Sequence, residues 1–112
     1  MPNKKAPLDL VFHALGDPTR RAVVSRLCRG PAAVSELARP FAMALPSFVQ
    51  HLGILEDCGL VRSRKKGRVR TYWIVPKPMK SAERWMAERR ALWTARLDQL
   101  DAYLEVMQED EP

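Results

Sequence analysis

The residues of this chain that are best suited to a chemical task are basic. Six arginines and lysines, and no acidic residue, lie between Arg62 and Arg70. Guanidinium and ammonium groups at this density bind phosphate oxygens, and such contacts give an affinity that falls as salt rises. A run of like charge is otherwise a solvated face. The run therefore predicts a polyanionic partner, provided that the surrounding elements present it outward.

Residues for catalysis or metal binding are sparse. The chain has two histidines and two cysteines, and they do not form a cluster in the sequence: His13, His51, Cys28 and Cys58. Neither a nucleophile–base pairing nor a phosphate-binding glycine loop is present. We expect Cys28 to be a small buried hydrophobe, Cys58 to be partly exposed and His13 to be a packed or surface histidine. The sequence argues against an enzyme and predicts neither a metal nor a cofactor.

Charge is distributed unevenly over the 112 residues, whose net charge is +6. Residues 1–96 hold all 19 lysines and arginines against seven acids, whereas 97–112 hold six acids and no base. The length fits one domain, 1–112. No apolar run approaches 18 residues, and "MPNKKAPLDL" lacks the apolar core of a signal peptide. We therefore expect a cytoplasmic chain with reduced thiols and no membrane partner.

Two helices are predicted at the start of the chain. "LDLVFHALG" (8–16) places apolar residues at helical spacing, namely Leu8, Val11, Phe12 and Leu15. "GDPTRRAVVSRLCRGP" begins with Asp17 as N-cap and Pro18 at the first helical position, and Gly30 follows its end. Its expected buried stripe consists of Val23, Val24, Leu27 and Cys28.

A helix-turn-helix is predicted over 34–58. "VSELARPF" is a short helix that Pro40 stops, "FAMAL" is the turn, and Pro46 opens the helix "PSFVQHLGILEDC". Gly59 suits the left-handed residue after this helix. Two strands follow near 60–65 and 69–75, joined around Gly67. The expected fold is mainly α with a small β-hairpin: a winged helix-turn-helix in which 60–75 form the wing and present the basic run.

The second helix of this motif has one face free to read bases. Phe48, Leu52 and Leu55 define its core face, and a recognition helix reads the major groove with its N-terminal residues. The candidates for contact with double-stranded DNA are Pro46, Ser47, Val49, Gln50 and His51. Gln50 can bond adenine through two hydrogen bonds, and Val49 can touch a thymine methyl group. His51, at the edge of the core, is equally compatible with a hydrogen-bonded structural histidine.

The wing supplies the second set of candidate contacts. The side chains expected to meet phosphates are Arg64, Lys65, Lys66, Arg68 and Arg70. Gly53 on the exposed helix face is unusual, because glycine costs about 1 kcal/mol against alanine in a helix interior. Either a partner approaches closely at Gly53 or the helix tolerates the loss.

The last helix is long, predicted over 79–107 with a start near Ser81. It carries a heptad seam with one polar member: Met86, Arg90, Trp93, Leu97, Leu100, Leu104 and Met107. Such a seam predicts a long C-terminal dimerisation helix. The expected homodimer interface comprises Leu8, Val11, Phe12 and Leu15 of the first helix with Trp85, Met86, Trp93, Leu97, Leu100 and Leu104 of the last.

About 15–75 of the chain resembles the ArsR-type winged helix-turn-helix repressors, in the branch with "ELA-PF-M-LP" before the recognition helix. The combination of "DPTRR", "QHLGILEDCGLV" and "GRVRTY" carries the resemblance. It implies a homodimer joined through its first and last helices, binding a palindromic operator and repressing transcription. It also implies that 46–51 form the recognition segment and 64–70 the wing.

The chain departs from this family at informative positions. Ala44 and Val49 stand where serine is frequent, and Gly53 where lysine or arginine is frequent, so the operator cannot be taken from relatives. "VSELARPF" lacks the cysteine pair of metal-sensing members, and the last helix has no histidine. The small-molecule effector is therefore unknown.

Two functions remain open from the sequence. The first is a sequence-specific DNA-binding transcriptional regulator, a dimeric repressor on a palindromic operator. The second is a winged-helix protein–protein interaction module with only non-specific DNA affinity, whose basic wing docks an acidic partner. Tight binding that survives competitor DNA favours the first, and weak, salt-labile binding favours the second.

Overall fold

A computed structural model describes residues 7–109 of the chain. The described part leaves out residues 1–6 and 110–112. The first range covers most of "MPNKKAPLDL", where no signal peptide is expected, and the second is the end of the acidic tail. The elements follow the order α1 (Pro7–Leu15), α2 (Pro18–Leu27), β1 (Ala32–Ala33), α3 (Val34–Ala38), α4 (Leu45–Asp57), β2 (Val61–Lys66), β3 (Val69–Ile74) and α5 (Pro76–Glu109). The prediction of a mainly helical winged helix-turn-helix with a long last helix is confirmed.

The start of α2 is fixed by the residues that predicted it. Asp17 is the N-cap, its carboxylate accepts the backbone N–H of Arg20 at 3.0 Å, and Pro18 opens the helix. This N–H holds the pKa of Asp17 below its usual value, because it favours the ionised carboxylate. The expected burial of Cys28 is wrong: Cys28 is exposed. It follows the last helical residue and lies about 90° from the centre of the buried stripe, because successive residues turn by about 100°.

The core lies where α4 packs against α2, α3 and the sheet. Phe48, Leu52 and Leu55 of α4 are fully buried, as the spacing of its apolar residues predicts. Phe41, in the turn before α4, stacks on Phe48 with 5.4 Å between ring centroids. The core face of α4 is therefore fully packed, and the start of its opposite face is left to solvent.

The sheet has three antiparallel strands in the order β1-β3-β2. The sequence predicted only the hairpin of β2 and β3, because β1 has two residues and shows no periodicity. The hairpin turns through Gly67 and Arg68, and Gly67 has a φ of 63°. Gly59, with a φ of 82°, adopts the expected left-handed conformation after α4.

The last helix begins earlier than predicted. It starts at Pro76 rather than near Ser81, because a proline is well tolerated in the first turn, where no intrahelical N–H donor is needed. The described contacts divide the chain into one compact unit that ends at Ala82 and a second that begins at Glu83. A single domain over 1–112 stays an expectation. No helix within 7–109 is long and apolar enough to cross a membrane.

One residue of the predicted dimer interface belongs elsewhere. Val11 of α1 is only 2% exposed and lies in the core of the protomer. It therefore has almost no surface to give to a second copy, and its assignment to the interface is wrong. Leu8, Phe12 and Leu15 are half-buried against the same core.

Candidate nucleic-acid interface

The N-terminal turns of α4 present the predicted reading residues to solvent. Pro46, Ser47, Val49 and Gln50 are all exposed; Pro46 and Gln50 lie opposite the buried face of the helix, and Ser47 and Val49 lie on its flanks. We call these four residues the reading face. Proline occupies the second helical position, since α4 begins at Leu45. Their assignment to bases stays a prediction, but the structure leaves their side chains open to a partner.

The start of α4 also lacks a side-chain cap. Ala44 is the N-cap, with φ −63° and ψ 143°, and no side chain accepts a hydrogen bond from the first turn. The N–H groups at a helix start and the helix dipole together favour an anion. A phosphate oxygen would therefore meet favourable backbone donors at this point.

The strand register divides the basic residues of the wing (β2, β3 and their turn) between two faces. Arg64 pairs with Thr71 and Lys66 with Val69, whereas Lys65 pairs with Arg70. Because successive side chains alternate, Arg64 and Lys66 point to one face and Lys65 to the other. Arg68 lies in the turn itself. The wing thus offers cations on both faces and at its tip.

A chain of hydrogen bonds joins the wing to α4. Arg70 Nη1 donates to Ser63 Oγ at 2.8 Å, and Ser63 Oγ donates to Glu56 Oε1 at 3.1 Å. Arg70 is therefore partly engaged within the protein, whereas the other predicted phosphate contacts make no side-chain hydrogen bond with residues 7–109. Through Ser63, these bonds link β3 of the wing to Glu56 of α4.

The starts of α3 and α4 and the wing border one cleft of about 330 Å³. Its lining comes from the starts of α3 and α4 and from the outer part of the hairpin: Ala33, Val34, Ser35, Leu45, Arg68, Val69 and Arg70. A helix start and basic side chains thus converge on one surface. An extended anion such as a nucleic-acid backbone fits this combination of donors.

The His51 side chain contacts a buried arginine of α2. Arg20 of α2 is buried, and its Nη1 lies 3.1 Å from Nδ1 of His51. An arginine only donates hydrogen bonds, so Nδ1 of His51 accepts and Nε2–H of a neutral ring remains as a donor. The Asp17 carboxylate lies 3.7 Å from the same Nδ1. These contacts favour a structural role for His51, and its contact with a base stays a prediction.

Arg20 is a structural residue behind the reading helix that the sequence does not single out. Besides His51, it donates from Nε to Ala14 O at 2.6 Å and from Nη2 to His13 O at 3.1 Å. It therefore links the end of α1, the start of α2 and the middle of α4. A signal was present, because Arg20 lies three and seven residues before Val23 and Leu27, on the apolar stripe of α2.

No catalytic or metal-binding constellation appears in the part of the chain that the structure describes. No group of three or more histidine, cysteine, aspartate or glutamate side chains within 7–109 could hold a metal ion. Burial raises the pKa of Cys58, and its Sγ donates to Leu55 O at 3.2 Å. A protonated thiol is a poor nucleophile, so Cys58 suits a structural role.

The second unit carries a line of exposed apolar side chains along α5. Each is between 45% and 67% exposed: Met86, Trp93, Leu97, Leu100, Leu104 and Met107. We call this line the apolar seam. Trp85, at 39% exposed, lies beside it, with the Arg89 guanidinium 4.6 Å from its ring centre. A helix with so much exposed apolar surface is typical of one that packs against a partner.

Comparisons with known proteins agree with this architecture. Residues 15–64 match a family model described as a helix-turn-helix domain. The transcriptional repressor SdpR of Bacillus subtilis is 30% identical over 76 residues, which is 68% of this chain and 84% of SdpR. A crystal structure of an ArsR family transcriptional regulator is 56% identical, with a TM-score of 0.76, and the match covers 80% of this chain and 98% of that one.

The chain belongs to the ArsR family of helix-turn-helix transcriptional regulators. An ArsR-like regulator from Rhodococcus sp. RHA1 is 31% identical with a TM-score of 0.69, over 86% of this chain and 91% of that chain. The regulator Rv2034 of Mycobacterium tuberculosis is 46% identical over 68 residues, which is 61% of this chain and 64%, less than two thirds, of Rv2034. These relatives are described as transcriptional regulators, and the family is one of regulators rather than of enzymes, so the conclusion against an enzyme is confirmed.

Proposed function

We propose that this ArsR-family protein is a sequence-specific repressor that binds a palindromic operator as a homodimer. The observation that carries the proposal is the convergence of the uncapped start of α4 and the basic wing on one cleft. The reading face lies beside that cleft, at the start of the same helix. A DNA duplex would be held by its backbone and read by its bases on one surface.

The proposed contacts divide by task. Gln50 and Ser47 hydrogen-bond base edges in the major groove, and Val49 touches a thymine methyl group. Pro46 shapes the first turn, and His51 supports the helix and donates to DNA through its Nε2–H. The phosphates are bound by the wing, from Arg64, Lys65, Lys66, Arg68 and Arg70.

The homodimer rests on the apolar seam of α5. All six residues of the seam are about half exposed or more, and this much apolar surface is unfavourable in water. A second copy offers the same seam, and a two-fold axis makes the contact self-complementary. Leu8, Phe12 and Leu15 of α1 keep part of their surface and are the proposed contribution of α1. Two recognition helices then meet half-sites about one helical turn apart.

Repression is supported by a relative. SdpR of Bacillus subtilis is described as a transcriptional repressor, and it matches this chain over 84% of its own length. A dimer that occupies an operator excludes other proteins from the same DNA, so no further activity is needed for repression.

A winged-helix protein-interaction module is the second candidate. Two observations favour it: α4 lacks an N-terminal cap, and Gly53 replaces a side chain in the middle of the proposed reading helix. Both weaken a helix on which base recognition depends. In this case the basic wing would dock an acidic protein, and DNA binding would be weak and independent of sequence.

Selection of bound sequences from a random duplex library separates the two candidates. The full chain is used at about 150 mM salt, where purely electrostatic binding is weak. The repressor predicts enrichment of an inverted repeat whose halves lie about 10 base pairs apart. Measurable binding without any enriched sequence would contradict the repressor and favour the interaction module.

A further inference from the structure

A groove of about 660 Å³ lies between α2 and α3, and we call it the α2–α3 groove. Its apolar surface comes from Ala22 and Pro40, which are exposed, and from Phe41, which is half-buried; Val23 and Leu37 lie buried beneath them. Volumes of about 300–1,000 Å³ are usual for sites that bind small molecules. The groove therefore has both the size and the apolar floor that a small ligand needs.

The charges at one edge of the groove compensate each other within the protein. Arg26 Nη2 lies 3.6 Å from Glu36 Oε2, and Arg26 Nη1 donates to Gly30 O at 3.2 Å. Glu36 Oε1 in turn accepts the backbone N–H of Ala33 at 3.4 Å. This pair is therefore engaged and fixes one wall of the groove.

Two further arginines at the groove keep their charge. Arg29 and Arg39 line it and are exposed, and their guanidinium groups make no hydrogen bond or ion pair within the described residues. With Arg26 and Glu36 compensating each other, the groove has an excess of two positive charges over an apolar floor. A guanidinium in this setting binds a carboxylate or a similar oxyanion through two hydrogen bonds.

We propose that the α2–α3 groove binds a small organic anion with an apolar body, of which an aliphatic monocarboxylate is the simplest case. The apolar body lies on Ala22, Pro40 and Phe41, and the carboxylate is bound by Arg29 and Arg39. A DNA backbone fits less well, because its sugars and phosphates would leave the apolar floor without a matching surface. The groove also shares no lining residue with the cleft at the wing.

The site adjoins the recognition helix. Phe41 lines the groove and stacks on Phe48 of α4, with 5.4 Å between ring centroids. The groove is nevertheless built from α2, α3 and the turns that follow each of them. Its occupancy can therefore be measured on the free protein, without an operator.

The test is an NMR titration of the full-length, ¹⁵N-labelled chain with octanoate, followed through the backbone amides. We expect saturable shifts centred on Leu37 and Phe41. Arg29→Gln with Arg39→Gln in one chain should weaken octanoate binding about tenfold or more, because two charge-assisted contacts are lost. Arg62→Gln, which removes an exposed arginine of β2, is the matched control and should leave the affinity unchanged. Octan-1-ol, which has the same body without the charge, should bind at least tenfold more weakly.

Several outcomes would overturn the proposal. These are the absence of saturable shifts, equal affinity for octanoate and octan-1-ol, unchanged affinity in the double variant, or shifts confined to the apolar seam of α5. Shifts at the groove that appear with an enriched DNA duplex but not with octanoate would assign Arg29 and Arg39 to DNA. Since octanoate binding is measured without DNA, its failure leaves the proposed repressor function untouched, and failure of DNA selection leaves the groove proposal untouched.

Discussion

Gln50 is the residue whose proposed role is most specific, because its amide can pair with adenine through a donor and an acceptor at once. We expect Gln50→Ala to weaken binding to the cognate duplex by about 1–3 kcal/mol and to relax the preference at one base pair. Competition titrations against duplexes that carry each base at each position measure both effects. Asp57→Asn, two turns further along α4, is the control and should leave the base preferences unchanged. Equal weakening on every duplex by Gln50→Ala would remove Gln50 from the reading residues.

Gly53 allows a prediction on stability that is separate from DNA. A Cβ built at this position meets no protein atom within 4 Å, so an alanine fits without strain. Gly53→Ala should raise the free energy of unfolding by about 0.5–1 kcal/mol, because the unfolded chain loses conformational freedom. Urea unfolding measures this change.

Gly59 provides the matched control for that experiment. Its φ of 82° disfavours any residue with a Cβ, so Gly59→Ala should destabilise the protein by about 1–2 kcal/mol. Loss of stability in Gly53→Ala would show that the helix is strained at that position. If Gly53→Ala folds well but loses DNA affinity, a phosphate or base approaches closely at this glycine.

Arg20 acts at the scale of elements, since one buried side chain bonds α1 and α4 from α2. Arg20→Met fills a similar volume but leaves the carbonyl of Ala14 without its donor. We expect it to lower the free energy of unfolding by about 1–3 kcal/mol, the cost of an unsatisfied buried acceptor. Arg21→Met removes an exposed neighbour that donates to Leu15 O, and it should cost less than about 0.5 kcal/mol. Urea unfolding measures both variants. A similar decrease in the free energy of unfolding for Arg20→Met and Arg21→Met would contradict the linking role of Arg20.

The wing makes a different prediction, because its contacts are expected to be electrostatic. Lys66→Ala should weaken binding to all duplexes alike and lower the slope of log affinity against log salt by about one unit. Lys80→Ala removes the same charge from an exposed position at the start of α5 and should leave the slope unchanged. An unaltered slope in Lys66→Ala would remove this residue from the phosphate contacts.

Elements with strong local signals could be predicted from the sequence, and those that depend on tertiary pairing could not. Asp17, Pro18 and Gly59 determine the ends of α2 and α4 through local backbone chemistry, so their roles were evident. The strand β1 depends on pairing between Ala32 and Tyr72, 40 residues apart, and two alanines carry no pattern. The start of α5 was missed because Pro76 reads equally well as a loop residue and as the first residue of a helix.

The candidate site was predictable to a similar extent. The exposed start of α4 and the basic hairpin follow from periodicity and charge. The bond from Arg70 to Ser63 depends on strand register, and the bond from Arg20 to His51 joins residues 31 positions apart. Cys28 was misassigned because the apolar stripe of α2 ends one residue before it. Local sequence pattern therefore predicts which side chains are exposed to a partner, and tertiary contacts determine which of them are already bonded within the protein.

At the scale of the whole molecule, the apolar seam predicts how copies associate. Trp93 is 67% exposed and central to that seam, so a charge in its place would be buried between two copies. Trp93→Asp should convert a dimer into a monomer in sedimentation equilibrium. Ala95→Asp puts the same charge about 200° around the helix and should remain dimeric. A Trp93→Asp protein that still sediments as a dimer would place the interface elsewhere.

Sequence-specific DNA binding is the central claim, and the ratio of two dissociation constants tests it most directly. One is measured for the duplex that selection enriches and the other for a shuffled duplex of the same composition, both at about 150 mM salt. We predict a ratio of about 10³ or more, as specific recognition requires. A ratio within a few-fold of one would mean that the wing binds charge without any reading by α4, and it would contradict the proposed repressor.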